Sequence, residues 1–216
     1  MRFAILVGAA AAAVAAVAPS AFAQEQEQAP TLGGADRPKV TFNEVEHGVY
    51  AGGEFGLLFV QAPGLGQGLG SGAVVGVSLG WDFSQYVGIG VFGLALSVST
   101  PSGYQGLGAA SAPGGDFTGM LPGLEVRLHL PIGKDANDVS RLFFNIGAGG
   151  GIMFLSPTSL FAAGADAPAA RVDASLEYFT RIRHFSLGLA VEGLGVFPSG
   201  GQIFGGDLSP FVRYSF

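Results

Sequence analysis

The chain's possible acid–base chemistry rests on three histidines, His47, His129 and His184. A hydrolase or acyl transferase needs such a base beside a nucleophile. His184 and Ser186 come closest, two residues apart and on one face of an extended segment. No G-x-S-x-G, H-E-x-x-H or phosphate-loop pattern occurs. The chain has no Cys, so thiolate nucleophiles, disulfides and zinc–thiolate sites are excluded. No catalytic, cofactor-binding or metal-binding residue is predicted.

The other candidates are charged residues of both signs: Glu54, Glu125, Arg127, Arg171, Asp173, Glu177, Glu192, Asp207 and Arg213. They could line an ion path or pair into a static network. The elements that carry them have a common pattern. From Val49 onward the apolar residues recur at every second position, which is the strand period. Eight segments follow, at about 49–59, 73–82, 87–98, 123–130, 142–154, 170–179, 184–197 and 207–216. In the fourth, Leu124, Val126, Leu128 and Leu130 alternate with Glu125, Arg127 and His129. The third turns apolar on both faces from Phe92 to Leu96, and a bulge near Gly93 would account for it. Pro210 predicts a weakened ladder or a bulge in the eighth.

Composition bounds what these strands can build. The chain has 216 residues, 37 of them Gly, with 12% charged and a net charge of −6. Mean hydropathy is +0.46 and the pI about 4.9. Nucleic acid is an unsuitable partner for so acidic a chain. No apolar run beyond the N-terminus reaches the roughly 18 residues of a spanning helix. Met1–Ala23 has a short basic start, an apolar stretch and an A-x-A ending at Ala21–Ala23, so residues 1–23 are expected to be a secretory signal peptide. Residues 24–45 are polar and Gln/Glu-rich, and read as a flexible periplasmic arm. Residues 46–216 would be the barrel.

Period two does not say which face is inside. A soluble barrel turns its apolar face inward and a membrane barrel turns it to lipid. The polar face here is mostly Gly and Ser with few charges, too poor for a solvated exterior. With both chain ends periplasmic, Trp81, Phe144, Tyr178, Phe185, Tyr214 and Phe216 gather at one rim, and Phe59, Phe154 and Phe197 at the other. Two aromatic girdles are what membrane interfaces select. Leu208, Val212, Tyr214 and Phe216, on the apolar face of the last strand, are similar to the C-terminal signal read by the outer-membrane barrel-assembly machinery. The expected fold is an all-β, eight-stranded, antiparallel up-and-down transmembrane barrel in the outer membrane of a Gram-negative cell, surrounded by lipid.

The connections 61–72, 99–118, 155–168 and 198–206 are long, fall on one side, and carry only Asp116 and Asp166 as charges. The connections 82–86 and 180–183 are short and fall on the other, with 131–141 a longer exception. This asymmetry is usual for outer-membrane barrels.

Three stretches, 40–50 (VTFNEVEHGVY), 176–188 (LEYFTRIRHFSLG) and 208–216 (LSPFVRYSF), resemble the CglE family of adventurous-gliding motility proteins from myxobacteria. The resemblance implies an outer-membrane barrel working with other envelope proteins of a gliding machinery, at sites of adhesion. It carries over no functional residues. The function expected is a non-enzymatic structural or adhesion component of an envelope complex; the alternative is a narrow channel for small solutes or ions.

Overall fold

A computed structural model describes residues 47–61, 70–99, 116–136, 138–156, 166–182, 184–198 and 202–216. The expected signal peptide and arm lie outside these residues, as do 62–69, 100–115, 157–165 and 199–201 of the long connections.

Eight strands run in chain order: β1 Val49–Gln61, β2 Gly70–Asp82, β3 Val87–Ser99, β4 Asp116–Lys134, β5 Ser140–Ser156, β6 Asp166–Phe179, β7 Phe185–Val196 and β8 Ile203–Ser215. Each pairs antiparallel with the next, and β8 pairs with β1, so the sheet closes into a barrel. The cross-strand path Tyr50–Gly80–Gly90–Glu125–Gly149–Arg171–Leu194–Gly205 returns to β1 at Val60. The ladder therefore closes with a stagger of ten residues, which tilts the strands steeply against the barrel axis.

The two expected irregularities are resolved differently. Pairing of β3 with β2 and β4 is continuous, so there is no bulge near Gly93. Opposite Pro210 the β1–β8 ladder lapses at Phe55 and Gly56 but resumes in the same register. It is weakened without being bulged, as expected for a residue with no N–H. Pro122 interrupts β4–β5 pairing in the same way. The bulge lies elsewhere, in β4 at Gly133.

The strands are longer than their alternation suggested, mostly at the rim where β2, β4, β6 and β8 begin (the far rim; β1 begins at the near rim). Asp116 and Asp166 open β4 and β6 rather than lying within connections. At the near rim, pairing continues to Lys134 and Ser140 where a long connection was expected. That hairpin closes with Asp138 at φ 64° and Asp135 N–H donating to Val139 O (2.8 Å).

Burial alternates along the strands. The outward residues are large and apolar: Leu124 is 68% exposed, Phe55 66% and Val191 60%. Most charged residues between the two rims point inward.

Candidate functional site

Among the described residues the lumen collects most of the buried ionisable side chains, and strand alternation puts them there. Glu54, Glu125, Arg127, Arg171, Asp173, Glu177, Glu192, Asp207 and Arg213 all face inward, as the sequence predicts, and all but Glu54 are buried.

They form linked groups. Arg171 donates from Nη2 to Glu192 (3.0 Å) and from Nη1 to Glu54 (3.4 Å), with Glu125 and Asp173 each at 3.9 Å. Arg127 donates to Glu125 at 3.4 Å. Arg213 pairs with Asp82 and lies 3.8 Å from Glu177. Ser209 donates to Asp207 at 2.5 Å.

Five further members lie outside the charged set that the sequence singled out: Tyr50, Asp82, His129, Asn145 and Ser186. Tyr50 OH donates to Glu125 at 3.2 Å. Asn145 Nδ2 donates to Glu177 (2.8 Å), which leaves its Oδ1 to accept from His129 Nδ1 (2.9 Å). His129 Nε2 is 3.3 Å from Asp82. The signal for these residues was parity: each shares its strand's inward register with a singled-out residue or a luminal glycine.

The Ser186–His184 pairing does not exist. Ser186 is buried inside and its hydroxyl donates to Glu177 at 2.5 Å. His184 has φ 72°, which breaks the alternation, and its ring lies 5.4 Å from that of Tyr214 on the outer side. A hydroxyl held by a carboxylate and parted from His184 is not activated by that imidazole.

The luminal face is not Gly- and Ser-rich throughout. In the far half it is apolar. Leu58, Val74, Leu94, Leu121, Met153, Ala169, Leu194 and Ile203, one from each strand, belong to a single buried cluster. Phe92, Leu96 and Val98 of β3 also belong to it, which is why the third strand reads as apolar on both faces. Arg171 marks the boundary, its guanidinium 4.7 Å from the Phe92 ring centre. In the polar half, Glu54, Ser78, Arg127, Asp173, Glu192 and Arg213 bound a gap with room for one or two water molecules.

Outside, the girdles are in place. At the near rim Trp81 stacks with Phe83 (6.1 Å), and Tyr214 meets Phe185 (5.0 Å) and Phe216 (4.9 Å) edge-on. Tyr178 is half-exposed beside them. Phe59, Phe154 and Phe197 ring the far rim, where Phe197 also packs on Phe204 at 6.4 Å. Leu208, Val212 and Phe216 of the C-terminal signal are exposed on the outer face, with Tyr214 between them.

No protein-family model and no curated protein matches the chain. Solved structures do. Neisserial surface protein A is similar at 14% identity over 78% of this chain and 97% of that one, with a TM-score of 0.56. The outer membrane protein OprG from Pseudomonas aeruginosa is similar at 12% identity over 81% of this chain and 98% of that one, with a TM-score of 0.50. The outer membrane enzyme PagL is similar at 14% identity over 77% and 99%, with a TM-score of 0.47. The likeness is one of fold. With an apolar exterior, paired aromatic girdles and charges inside, the chain is an eight-stranded transmembrane β-barrel of the outer membrane.

Proposed function

We propose that this barrel is a non-enzymatic structural and adhesion component of an envelope complex, of the kind supplied by the gliding-motility family it resembles. The observation that carries the reading is the filled lumen. An engaged ion network below and an apolar cluster above leave no through path, so interaction falls to the two rims. Other envelope or motility-complex proteins are the proposed partners, and the barrel-assembly machinery the proposed reader of Leu208, Val212, Tyr214 and Phe216. Crosslinking in intact outer membranes, followed by identification of the captured proteins, tests the reading alongside planar-bilayer recording. Repeatable capture of envelope proteins by a silent barrel is expected. Persistent unitary conductance from the purified protein would overturn it in favour of a narrow channel. In that event Arg127→Ala or Arg171→Ala should alter ion selectivity. Altered acylation of lipid A or phospholipid on expression would instead overturn the non-enzymatic part.

A further inference from the structure

The exterior distributes its cations unevenly. The four far-rim connections contain no Lys or Arg. At the near rim the β4–β5 hairpin has two, but Lys134 is held by Asp138 (2.9 Å) and Arg141 by Asp135 (2.8 Å). The β2–β3 turn exposes Phe83, Ser84, Gln85 and Tyr86, none of them a cation. Arg181, in the β6–β7 turn, is exposed and pairs with no described residue.

That turn is firmly built. Thr180 N–H donates to Phe185 O (2.9 Å), and the Thr180 hydroxyl is shared between Ile182 O (3.0 Å) and Phe185 O (2.9 Å). From β5, Arg141 Nη1 donates to Thr180 O (3.1 Å). Ile182 is left 67% exposed beside Arg181. An apolar side chain and an unpaired guanidinium on one turn suit the boundary between headgroups and acyl chains. The wall that continues from the turn faces lipid. Tyr178 and Leu187 are cross-strand partners there, each about half exposed, and Phe185 meets Tyr214 edge-on beside them.

We propose that the β6–β7 turn seats an anionic phospholipid, with Arg181 at the headgroup phosphate and the acyl chains along Tyr178, Phe185 and Leu187. Two observations select that occupant. The wall below the turn is continuous with the barrel's lipid-facing surface. The guanidinium is unneutralised, and a zwitterionic headgroup would bring its own ammonium against it, so a net negative headgroup is preferred. The proposal does not depend on the adhesion reading, since a structural barrel and a channel would each meet lipid at this turn.

The single tryptophan, Trp81, makes the test direct. It lies exposed on β2, three strands from β7 around the closed sheet, and reports lipid contact there. Leu187→Trp in a Trp81→Phe background reports contact below the turn. Each protein is folded into phosphatidylcholine vesicles and shown to migrate as a compact band that shifts on boiling. Fluorescence quenching by acyl-brominated phosphatidylglycerol is then compared with quenching by acyl-brominated phosphatidylcholine. At Leu187→Trp the anionic lipid should associate about fivefold more strongly, the effect of one cation near the membrane surface. Adding Arg181→Gln should reduce that preference to under about twofold, and Trp81 should show no more than that. Where Leu187→Trp does not fold, Leu189→Trp on the same outer face takes its place. Equal quenching by the two lipids, a preference that survives Arg181→Gln, or the same preference at Trp81 would overturn the proposal. Displacement by lipopolysaccharide more readily than by unlabelled phosphatidylglycerol would overturn it in favour of lipid A phosphates.

Discussion

Arg213 lies over the face of Tyr50, its guanidinium carbon 3.7 Å from the ring centre. The two belong to β8 and β1, so a cation–π contact spans the seam at which the barrel closes. Arg213 also neutralises Asp82, while the Tyr50 hydroxyl reaches Glu125 on the opposite wall.

Removing that guanidinium should therefore loosen the seam and strand two buried carboxylates, Asp82 and Glu177. Arg213→Ala is expected to destabilise the barrel by about 3–5 kcal/mol, the range for breaking a buried pair from one side. Urea unfolding in lipid vesicles, followed by loss of the fast-migrating unboiled band, measures it. An effect below about 1 kcal/mol, the range of an exposed pair, would show the seam does not rely on Arg213.

The outward face makes a separate prediction. Leu124 and Leu128 flank Val126 on the exterior of β4. Leu124→Arg or Leu128→Arg should lower stability by up to about 2–4 kcal/mol near the bilayer midplane. The same unfolding assay applies, and a neutral outcome would put that face out of contact with lipid.

Glycine gives a paired comparison. A Cβ at Gly151 would run into the carbonyl of Pro122 on the neighbouring strand, which is backbone and cannot swing aside. A Cβ at Gly53 meets nothing nearer than Gly76 O at 3.9 Å. Gly151→Ala should cost about 1–3 kcal/mol as overpacking, and Gly53→Ala should stay within about 0.5 kcal/mol. Equal effects would mean the wall at Gly151 yields.

His47, just before β1, has its pKa lowered by burial, with the field of Asp82 opposing and those of His129 and Arg213 adding. The unfolded chain therefore binds this proton more readily, against a free imidazole value near 6.5. Its contribution to stability should be fully present above pH 6.5. It should be lost as the pH falls below 6.5, levelling off once the folded form also protonates. His47→Gln should flatten that part of the stability–pH curve, and an unchanged slope would assign it to other groups.

The sequence displayed the fold most clearly where the lumen is polar. In β4, Glu125, Arg127 and His129 contrast with Leu124, Val126 and Leu128, which marks the strand plainly. The same strand begins seven residues before Gly123, at Asp116, and that part shows no alternation because Phe117 and Leu121 face inward among Met120 and Leu124 facing out. With apolar residues on both faces, period two disappears although the pleat persists. The charged lumen was legible for the same reason, through parity. The pairing of Arg213 with Asp82, 131 positions apart, was not, because it depends on barrel closure. The turn geometry at His184 was also hidden, since a positive φ is uncommon in any non-glycine residue and nothing beside His184 calls for it.

The apolar cluster in the far half has a consequence for biogenesis. Before closure, segments such as Val91–Leu96 have no face that prefers water, so the unfolded chain is adhesive on both sides of those strands. An envelope protein reaches its membrane through an aqueous compartment, where such segments adhere to one another unless they are kept apart. Once the strands join, half of that adhesive surface is shut inside the barrel, and only lipid meets the other half.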